Sequence, residues 1–288
     1  MALTNPYTVG NPVHPDRFIG RSQEVADIFN LVRHRQSVSI VGERSIGKTS
    51  LLRYICSEEV RKFLPDSENY LFVYRDLQAL AGNLNNQTFY LSLAKGILPE
   101  KPMPEEFLSL YDLDRLIEKT TEKGKKHIVF VLDEFDILSS SPDISFELFS
   151  GLRSLASSRE VTFITSSFRP PYEVERREIL SSPFFNILMS LYIGPFTRDE
   201  AAELICKTSS EQGLSLEPYS KFILDIAGYH PYFLQLACQT AFDRVAESDD
   251  LNAADLATIR VDFGERAEPM FRYILEQTES SLLDTFVT

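Results

Sequence analysis

The chain has 288 residues, of which 43% are hydrophobic and 25% charged, and its formal net charge is −13 at pH 7. This composition is typical of an ordinary globular protein and excludes a disordered or fibrous chain. The negative charge disfavours extended binding to nucleic acid, because the phosphate backbone would repel it.

The cysteines and the apolar runs point to a cytoplasmic protein. Cys56, Cys206 and Cys238 lie far apart, and three is an odd number, which argues against a disulfide framework and favours a reducing compartment. No apolar run approaches the ~18–20 residues that cross a bilayer. The N-terminus has no basic region followed by an apolar one, so no secretory signal is expected.

The first predicted elements lead to a glycine-rich loop. Prolines at positions 6, 12 and 15 predict an extended path for residues 1–17, and apolar residues from Val25 to Val32 repeat at helical spacing. The β-branched run at 37–41 predicts a buried strand, and a helix is expected from about Thr49 to Phe63. Between them lies the stretch VGERSIGKTSLL, residues 41–52.

The middle of the chain alternates between strands and helices. Strands are predicted at 70–77, at 127–138, at 161–165 and within 186–196. Helices are predicted near 86–97, 105–123 and 144–158, with a short charged helix before the last strand. This alternation favours a parallel sheet that is covered on both faces.

The pattern changes after Pro195. Thr197 and Glu200 have the spacing of a capping box at the start of a helix, and the sequence is helical in pattern from there to about Gln277. We therefore predict an N-terminal segment at 1–20, an α/β domain at 21–195 and a helical domain at 196–288.

The glycine-rich loop matches the phosphate-binding pattern G-x-x-x-x-G-K-[ST]. Its glycines permit a backbone path that turns several N–H groups towards an anion, Lys48 would reach the β- and γ-phosphates, and the Thr49 hydroxyl would hold Mg²⁺. Glu43 occupies a position that the pattern leaves open, so its side chain can point to solvent. The expected phosphate-binding residues are Gly42, Ser45, Ile46, Gly47, Lys48, Thr49 and Ser50.

Two acids follow the clearest buried strand. Asp133 is placed to bind Mg²⁺ and Glu134 to polarise an attacking water, so Lys48 and Glu134 are the predicted catalytic residues. The alternative is an acidic loop without a ligand, which the glycine loop upstream disfavours. The interval between the two motifs holds an extra strand, which predicts the additional-strand class of ATPase. Asp136 is interpreted as a surface or capping residue.

These motifs resemble those of a STAND-class, AAA+-related P-loop ATPase, in particular the bacterial AAA-like signal-transduction modules. The resemblance covers nearly the whole chain and rests on DRFIGR, VGERSIGKTSLL, FVLDEFD, VTFITSSFRP, GPFTRDEAAELI and AGYHPYFLQLAC. It implies a P-loop NTPase domain with a five-stranded parallel sheet flanked by helices, followed by a smaller all-α lid domain. It also implies ATP or ADP with Mg²⁺ as ligands.

The resemblance assigns further site residues. Ser166 or Ser167 would sense the γ-phosphate and Arg169 would reach it, unless Arg169 is a solvent-facing loop residue. The GYHP turn, Gly228 to Pro231, would lie on the nucleotide from the lid side, or would be a helix–helix turn without a ligand. The expected adenine and lid residues are Phe18, Ile19, Gly20, Arg21, His230 and Pro231.

The function that these motifs favour is a slow ATPase that acts as a switch. Its nucleotide state would control a homo-oligomer or a protein partner in signalling or defence. One alternative is a loader that acts on nucleic-acid machinery, which the charge disfavours, and another is a scaffold that does not hydrolyse ATP, which Glu134 disfavours. STAND proteins continue into a winged helix, whereas this chain ends at Thr288, so we expect either a fragment or a minimal module.

Overall fold

A parallel β-sheet lies at the centre of the fold. The computed structural model describes residues 4–100, 109–124, 126–173, 182–248 and 250–287. The sheet pairs its strands in the order β2-β3-β4-β1-β5, and all pairings are parallel. The predicted five-stranded parallel sheet is therefore confirmed. The strands are β1 (Ser37–Val41), β2 (Tyr70–Asp76), β3 (His127–Asp133), β4 (Val161–Ser167) and β5 (Leu188–Tyr192).

The strand order separates the two strands that carry the motifs. Strand β1 leads into the glycine loop and β3 ends at Asp133, and β4 lies between them. In β4, Thr165 pairs with Leu132 of β3 and with Ser39 of β1. The additional-strand arrangement predicted from the sequence is confirmed.

The burial of the strands follows from their composition. Every residue of β1, β3 and β4 is buried, and these strands are rich in β-branched and aromatic residues. Strand β5 forms one edge of the sheet, and its Met189 and Tyr192 are 50% and 59% exposed.

Contacts divide the chain into two compact units, each with its own apolar core. The first unit comprises Met1–Arg21, Glu43–Gly47 and Gly194–Thr288. The second unit comprises Ser22–Gly42 and Lys48–Ile193 and contains the sheet. The division into segments 1–20, 21–195 and 196–288 remains a prediction from the sequence.

Helices flank the sheet within the second unit. Their bounds are α1 (Ser22–Arg33), α2 (Lys48–Ile55), α3 (Glu58–Arg61), α4 (Asn86–Ile97), α5 (Leu110–Gly124), α6 (Phe135–Ser140) and α7 (Phe146–Ser158). The short charged helix predicted before β5 and the start of the helix predicted at 105 lie in part outside the described residues.

Two helical details differ from the sequence-based expectation. The helix predicted from Thr49 to Phe63 is divided into α2 and α3, because Ser57 adopts an extended conformation (ψ 151°) and begins a new helix with acids in its first turn. Helix α6 was not predicted. Its six residues are too few to show a helical period.

The C-terminal part of the first unit is helical, as predicted. Its helices are α8 (Arg198–Ser210), α9 (Ser220–Ala227), α10 (Pro231–Glu247) and α11 (Ala253–Val287). The predicted capping box begins α8: the Glu200 backbone N–H donates to Thr197 Oγ1 at 3.3 Å, and the Thr197 N–H donates to Glu200 Oε2 at 2.8 Å. Among the described residues, no helix has the length and apolarity needed to cross a membrane.

The N-terminal segment packs on α8 and α10 within the first unit. Tyr7 is 4% exposed, and its hydroxyl donates to the Ile205 carbonyl at 2.8 Å. The Asn5 side-chain amide donates to the Gln239 carbonyl at 2.9 Å, and the Gln239 side-chain amide donates to the Tyr7 carbonyl at 3.2 Å. Ile19 belongs to the same apolar core. The segment is therefore held at both of its ends.

Candidate nucleotide-binding site

The glycine loop connects β1 to α2 with a backbone that suits an anion. Ser45 and Gly47 have φ values of 60° and 102°, in the left-handed region that turns successive N–H groups to one side. The Gly42 N–H donates to the Ser167 carbonyl at 3.2 Å, which fixes the start of the loop on β4. Glu43 is exposed, as expected for the open position of the motif.

Lys48 is the first residue of α2 and is only 8% exposed. Its ammonium Nζ donates to the Gly42 carbonyl at 2.7 Å, so the side chain folds back along the loop. Thr49 and Ser50 follow in the first turn of α2, where the positive end of the helix dipole favours an anion. The predicted phosphate-binding residues thus lie in the glycine loop and in the first turn of α2.

Asp133 is buried at the end of β3 and is fixed through both carboxylate oxygens. The Tyr74 hydroxyl donates to its Oδ2 at 2.9 Å. The Ser166 hydroxyl makes a short hydrogen bond to its Oδ1, and the Glu134 N–H lies 3.1 Å from the same oxygen. Tyr74 was not predicted as a site residue; it reaches Asp133 because β2 pairs with β3 in parallel.

Glu134 is the N-cap residue of α6 and adopts a left-handed conformation, with φ 56° and ψ 47°. This conformation is costly for a residue with a side chain and is found most often at functional sites. Burial raises the pKa of Glu134 above the usual value of a glutamate. The Lys48 charge opposes this rise and the Asp133 charge adds to it. The role of Glu134 as a catalytic base remains a prediction, which a raised pKa next to Lys48 supports.

Asp136 connects α6 to the loop that follows β4. Its Oδ2 accepts a hydrogen bond from the Phe168 N–H at 2.6 Å, and burial raises the pKa of its carboxyl group. The interpretation of Asp136 as a surface or capping residue therefore did not include its hydrogen bond to the Phe168 backbone. This hydrogen bond has no local sequence signal, because Asp136 follows β3 and Phe168 follows β4.

Of the three predicted sensor residues, Ser166 and Ser167 end β4 and Arg169 lies just after it. Ser166 is fully buried and bonded to Asp133, as described above. The Ser167 hydroxyl donates to the Arg169 carbonyl at 2.7 Å and so bends the chain after the strand. Contact of Ser166, Ser167 or Arg169 with a γ-phosphate remains a prediction.

In the first unit, Arg21 joins the N-terminal segment to the glycine loop. Its guanidinium Nη2 donates to the Ile46 carbonyl at 3.4 Å and makes a shorter hydrogen bond to the Gly194 carbonyl. The guanidinium also lies 5.0 Å from the Phe196 ring centroid. Arg21 is 4% exposed, so the predicted adenine-end residue is a buried cation next to the loop.

Gly20 and Arg21 form a tight left-handed turn, with φ values of 75° and 61°. The Arg21 N–H donates to Glu200 Oε1 at 2.5 Å, and a Cβ on Gly20 would lie 2.8 Å from the same oxygen. Glu200 therefore fixes this turn on α8, and the positive φ at position 20 favours a glycine there.

We expect Gly20→Ala to lower the free energy of unfolding by about 1–3 kcal/mol, because the new Cβ adds backbone strain and meets Glu200. Urea unfolding followed by circular dichroism measures the change. Gly82→Ala is the matched control, since its Cβ would meet nothing within 4 Å and its φ lies outside the left-handed region. Equal stability of the two variants would contradict the described turn.

The GYHP turn ends at the start of α10. Pro231 is the first residue of the helix and is buried, and His230 is its N-cap, with Nδ1 accepting from the Tyr232 N–H at 3.3 Å. The imidazole lies beside the Phe233 ring, with 5.1 Å between centroids. Burial, together with the Arg21 charge, lowers the pKa of His230 to about 4.

One contact of the glycine loop was not predicted. The Arg44 guanidinium lies 4.9 Å from the centroid of the Tyr273 ring, which belongs to α11. Phe271, two residues earlier on α11, stacks on Phe233 of α10 with 4.1 Å between centroids. Within the first unit, the loop and the two C-terminal helices are thus joined by ring contacts.

A family model described as "Novel STAND NTPase 2" matches residues 30–282. No curated protein matches the sequence. Among solved structures, the Walker-type ATPase PABY2304 of Pyrococcus abyssi has a TM-score of 0.71 at 16% identity, over 96% of this chain and 80% of that one. The ORC2 protein of Aeropyrum pernix has a TM-score of 0.67 at 15% identity, over 91% and 71% of the two chains.

Domain III of the replication initiation protein DnaA of Thermotoga maritima is a third similar structure. Its TM-score is 0.55 at 18% identity, over 88% of this chain and 99% of that one. Identities this low establish a shared fold and no more. The sheet order and the glycine loop described above are therefore those of a P-loop NTPase fold.

Proposed function

The chain belongs to the novel STAND NTPase 2 family, and from this premise we propose that it is an ATP-binding switch that hydrolyses ATP slowly. A P-loop NTPase of this family binds a nucleotide, usually with Mg²⁺. We propose further that this nucleotide is ATP and that its state controls the conformation of the chain. Both proposals rest on the loop, on the acids after β3 and on the ring contacts of α11.

The residues of the loop fit a triphosphate. The left-handed residues Ser45 and Gly47 turn the loop backbone towards an anion, and Lys48 supplies a buried ammonium group that donates to the Gly42 carbonyl. Phosphate oxygens would be stronger acceptors for that ammonium group than the Gly42 carbonyl. We therefore assign the β- and γ-phosphates to the loop and to Lys48.

The two acids after β3 are suited to different roles, Asp133 to binding a magnesium ion and Glu134 to activating a water. Thr49 and Asp133 would hold Mg²⁺, which neutralises phosphate charge when bound. Tyr74 and Ser166 hold the Asp133 carboxylate in one orientation, as a positioned ligand requires. Glu134 would take a proton from the attacking water, a role that its raised pKa favours.

The observation that carries the switch is the contact of Arg44 with Tyr273. Arg44 belongs to the loop that would bind phosphate, and Tyr273 belongs to α11, so a movement of the loop would reach the C-terminal helix. Pro269 lies inside α11 and removes one backbone hydrogen bond four residues before Tyr273. The helix therefore has a point at which it can bend.

We propose that the ATP state exposes a surface for a second copy of the chain or for a protein partner, in signalling or defence, in the cytoplasm. Light scattering with ATP, with ADP and without nucleotide would measure the association. Hydrolysis stimulated by DNA would instead support the loader that the net charge of −13 disfavours.

The switch is tested by hydrogen exchange on α11. In the wild-type protein we expect exchange rates in α11 to differ by at least about fivefold between ATP and ADP. Tyr273→Leu removes the ring that contacts Arg44, so this difference should disappear while ATP affinity changes by less than about threefold.

The matched control for this test is Tyr111→Leu, because Tyr111 is a 65% exposed tyrosine on α5 in the second unit. This variant should show the same difference in α11 exchange between ATP and ADP as the wild type. Exchange in wild-type α11 that is the same with ATP, with ADP and without nucleotide would contradict the switch.

A further inference from the structure

A cleft beside the edge strand β2 is lined by basic and apolar side chains. It has a volume of about 520 Å³ and lies between β2, the 3₁₀ turn Gln78–Asn83 and α4, all within the second unit. The described residues that line it include two basic side chains, Arg75 and Lys95, and no acidic one. In a chain whose net charge is −13, such a lining favours an anionic ligand.

Arg75 is a half-buried cation in this cleft. Its Nε donates to the Ser92 carbonyl at 2.6 Å and its Nη1 to the Tyr74 carbonyl at 2.8 Å, but it forms no ion pair with a carboxylate of the described residues. Burial lowers the pKa of the guanidinium, because desolvation disfavours its charge. An anion that pairs with a desolvated arginine gains more than one that meets an arginine in water.

The packing of α4 on β2 holds the guanidinium in one orientation. A Cβ on Gly96 would lie 2.6 Å from Arg75 Nη2 and 2.2 Å from Val73 Cγ1, so the helix approaches the strand closely where it has no side chain. Nη2 donates to none of the described residues. The outer end of the guanidinium, formed by Nη1 and Nη2, therefore has N–H groups for a planar carboxylate.

The other walls of the cleft come from α4 and from the 3₁₀ turn. Thr88, Leu91 and Lys95 follow one another at helical spacing, so they lie on one face of α4, and Leu80 belongs to the turn. The Thr88 hydroxyl donates to the Asn83 carbonyl at 2.7 Å and so joins the turn to the helix. A cleft whose walls are joined in this way needs little ordering when a ligand binds.

We propose that this cleft binds a small organic carboxylate with an apolar body, whose carboxylate pairs with Arg75 and whose body lies against Leu80 and Leu91. Lys95, which is exposed, adds a second positive charge. Sites for small organic ligands have this size and combine apolar walls with a few polar groups. The inference is independent of the nucleotide, because the residues that form the cleft lie between positions 75 and 95.

Hexanoate is the probe for this site, and acetate and 1-hexanol each present one part of it. Chemical-shift titrations of the whole chain by NMR measure the three affinities. We expect hexanoate to bind at least about tenfold more tightly than either acetate or 1-hexanol, because only hexanoate meets both the cations and the apolar wall. Equal affinities of hexanoate and 1-hexanol would overturn the proposal.

Substitutions in the cleft locate the bound hexanoate. Arg75→Gln should weaken its binding at least about tenfold, since the desolvated charge is lost. Leu91→Gln should weaken hexanoate about threefold and leave acetate unchanged, since it alters only the apolar wall. Lys95→Gln should weaken hexanoate about threefold, and because Lys95 is exposed this variant tests the charge pairing even if Arg75→Gln does not fold.

Two further variants serve as controls. Arg33→Gln removes an exposed arginine from α1 in the same unit, so it reports the effect of net charge and should bind hexanoate as the wild type does. Lys48→Ala should also leave hexanoate affinity unchanged. If Lys48→Ala weakens hexanoate binding as much as Arg75→Gln does, hexanoate lies at the glycine loop and the proposal is wrong. Wild-type affinity in both Arg75→Gln and Lys95→Gln would overturn it as well.

Discussion

Replacing Glu134 with glutamine is expected to lower the rate of ATP hydrolysis by at least about 100-fold while ATP affinity changes by less than about threefold. The amide keeps the shape of the side chain but cannot accept a proton from water. The main-chain bonds from the Glu134 N–H to Asp133 and Ser166 do not involve the side chain, so the geometry of the turn is retained. The rate of hydrolysis is measured as phosphate formed under single-turnover conditions.

The pH dependence of hydrolysis offers a second test of Glu134. A base acts only when it is deprotonated, so the rate should fall as the pH falls through the pKa of its carboxyl group. Burial raises that pKa, so the fall should begin at a higher pH than for an exposed glutamate. Glu134→Gln should remove this acid limb from the residual rate.

Glu59→Gln is the matched control, because Glu59 is an exposed glutamate on the neighbouring helix α3 and has no part in the proposed site. It should hydrolyse ATP at the wild-type rate. If the Glu134→Gln protein hydrolysed ATP at the wild-type rate, another group would have to take the proton from the water. A wild-type protein that binds ATP without hydrolysing it would instead favour the scaffold.

Lys48→Ala should weaken ATP binding by between about 10- and 100-fold, since it removes a charged donor to the phosphates. The effect is expected to be large because the ammonium group is buried at the start of α2, where solvent does not screen it. Calorimetric titration with ATP in the presence of Mg²⁺ gives the affinity.

A charge control accompanies this variant. Lys62→Ala removes one positive charge from an exposed lysine just after α3, so it reports any general effect of net charge on ATP affinity. We expect its affinity to equal that of the wild type. Equal weakening by the two substitutions would mean that ATP is attracted by overall charge and not held by Lys48.

The parts of the fold that could be predicted from sequence are those set by local patterns. The runs at 37–41 and 128–132 are rich in β-branched and other apolar residues, which is the pattern of a strand buried on both faces. The strand predicted at 127–138 was too long, because it ends at Asp133 and α6 follows. The glycine loop was also recognisable, because its backbone requires a glycine where φ is 102° at Gly47.

Other features depend on contacts between distant parts of the chain. Tyr74 reaches Asp133 only through the register of β2 with β3, and Arg44 meets Tyr273 only through the packing of the first unit. A single sequence carries no local signal for either pair. The left-handed conformation of Glu134 is equally hidden, because a glutamate rarely adopts it.

The attachment of the N-terminal segment to α10 has a consequence for the order in which the protein folds. Asn5 bonds to Gln239, 234 positions later, so this contact of the first unit cannot form until residue 239 has left the ribosome. Nearly all of the second unit lies within Lys48–Ile193, so its contacts become available earlier during synthesis. The contacts of the sheet can therefore form before the N-terminal segment docks on α10.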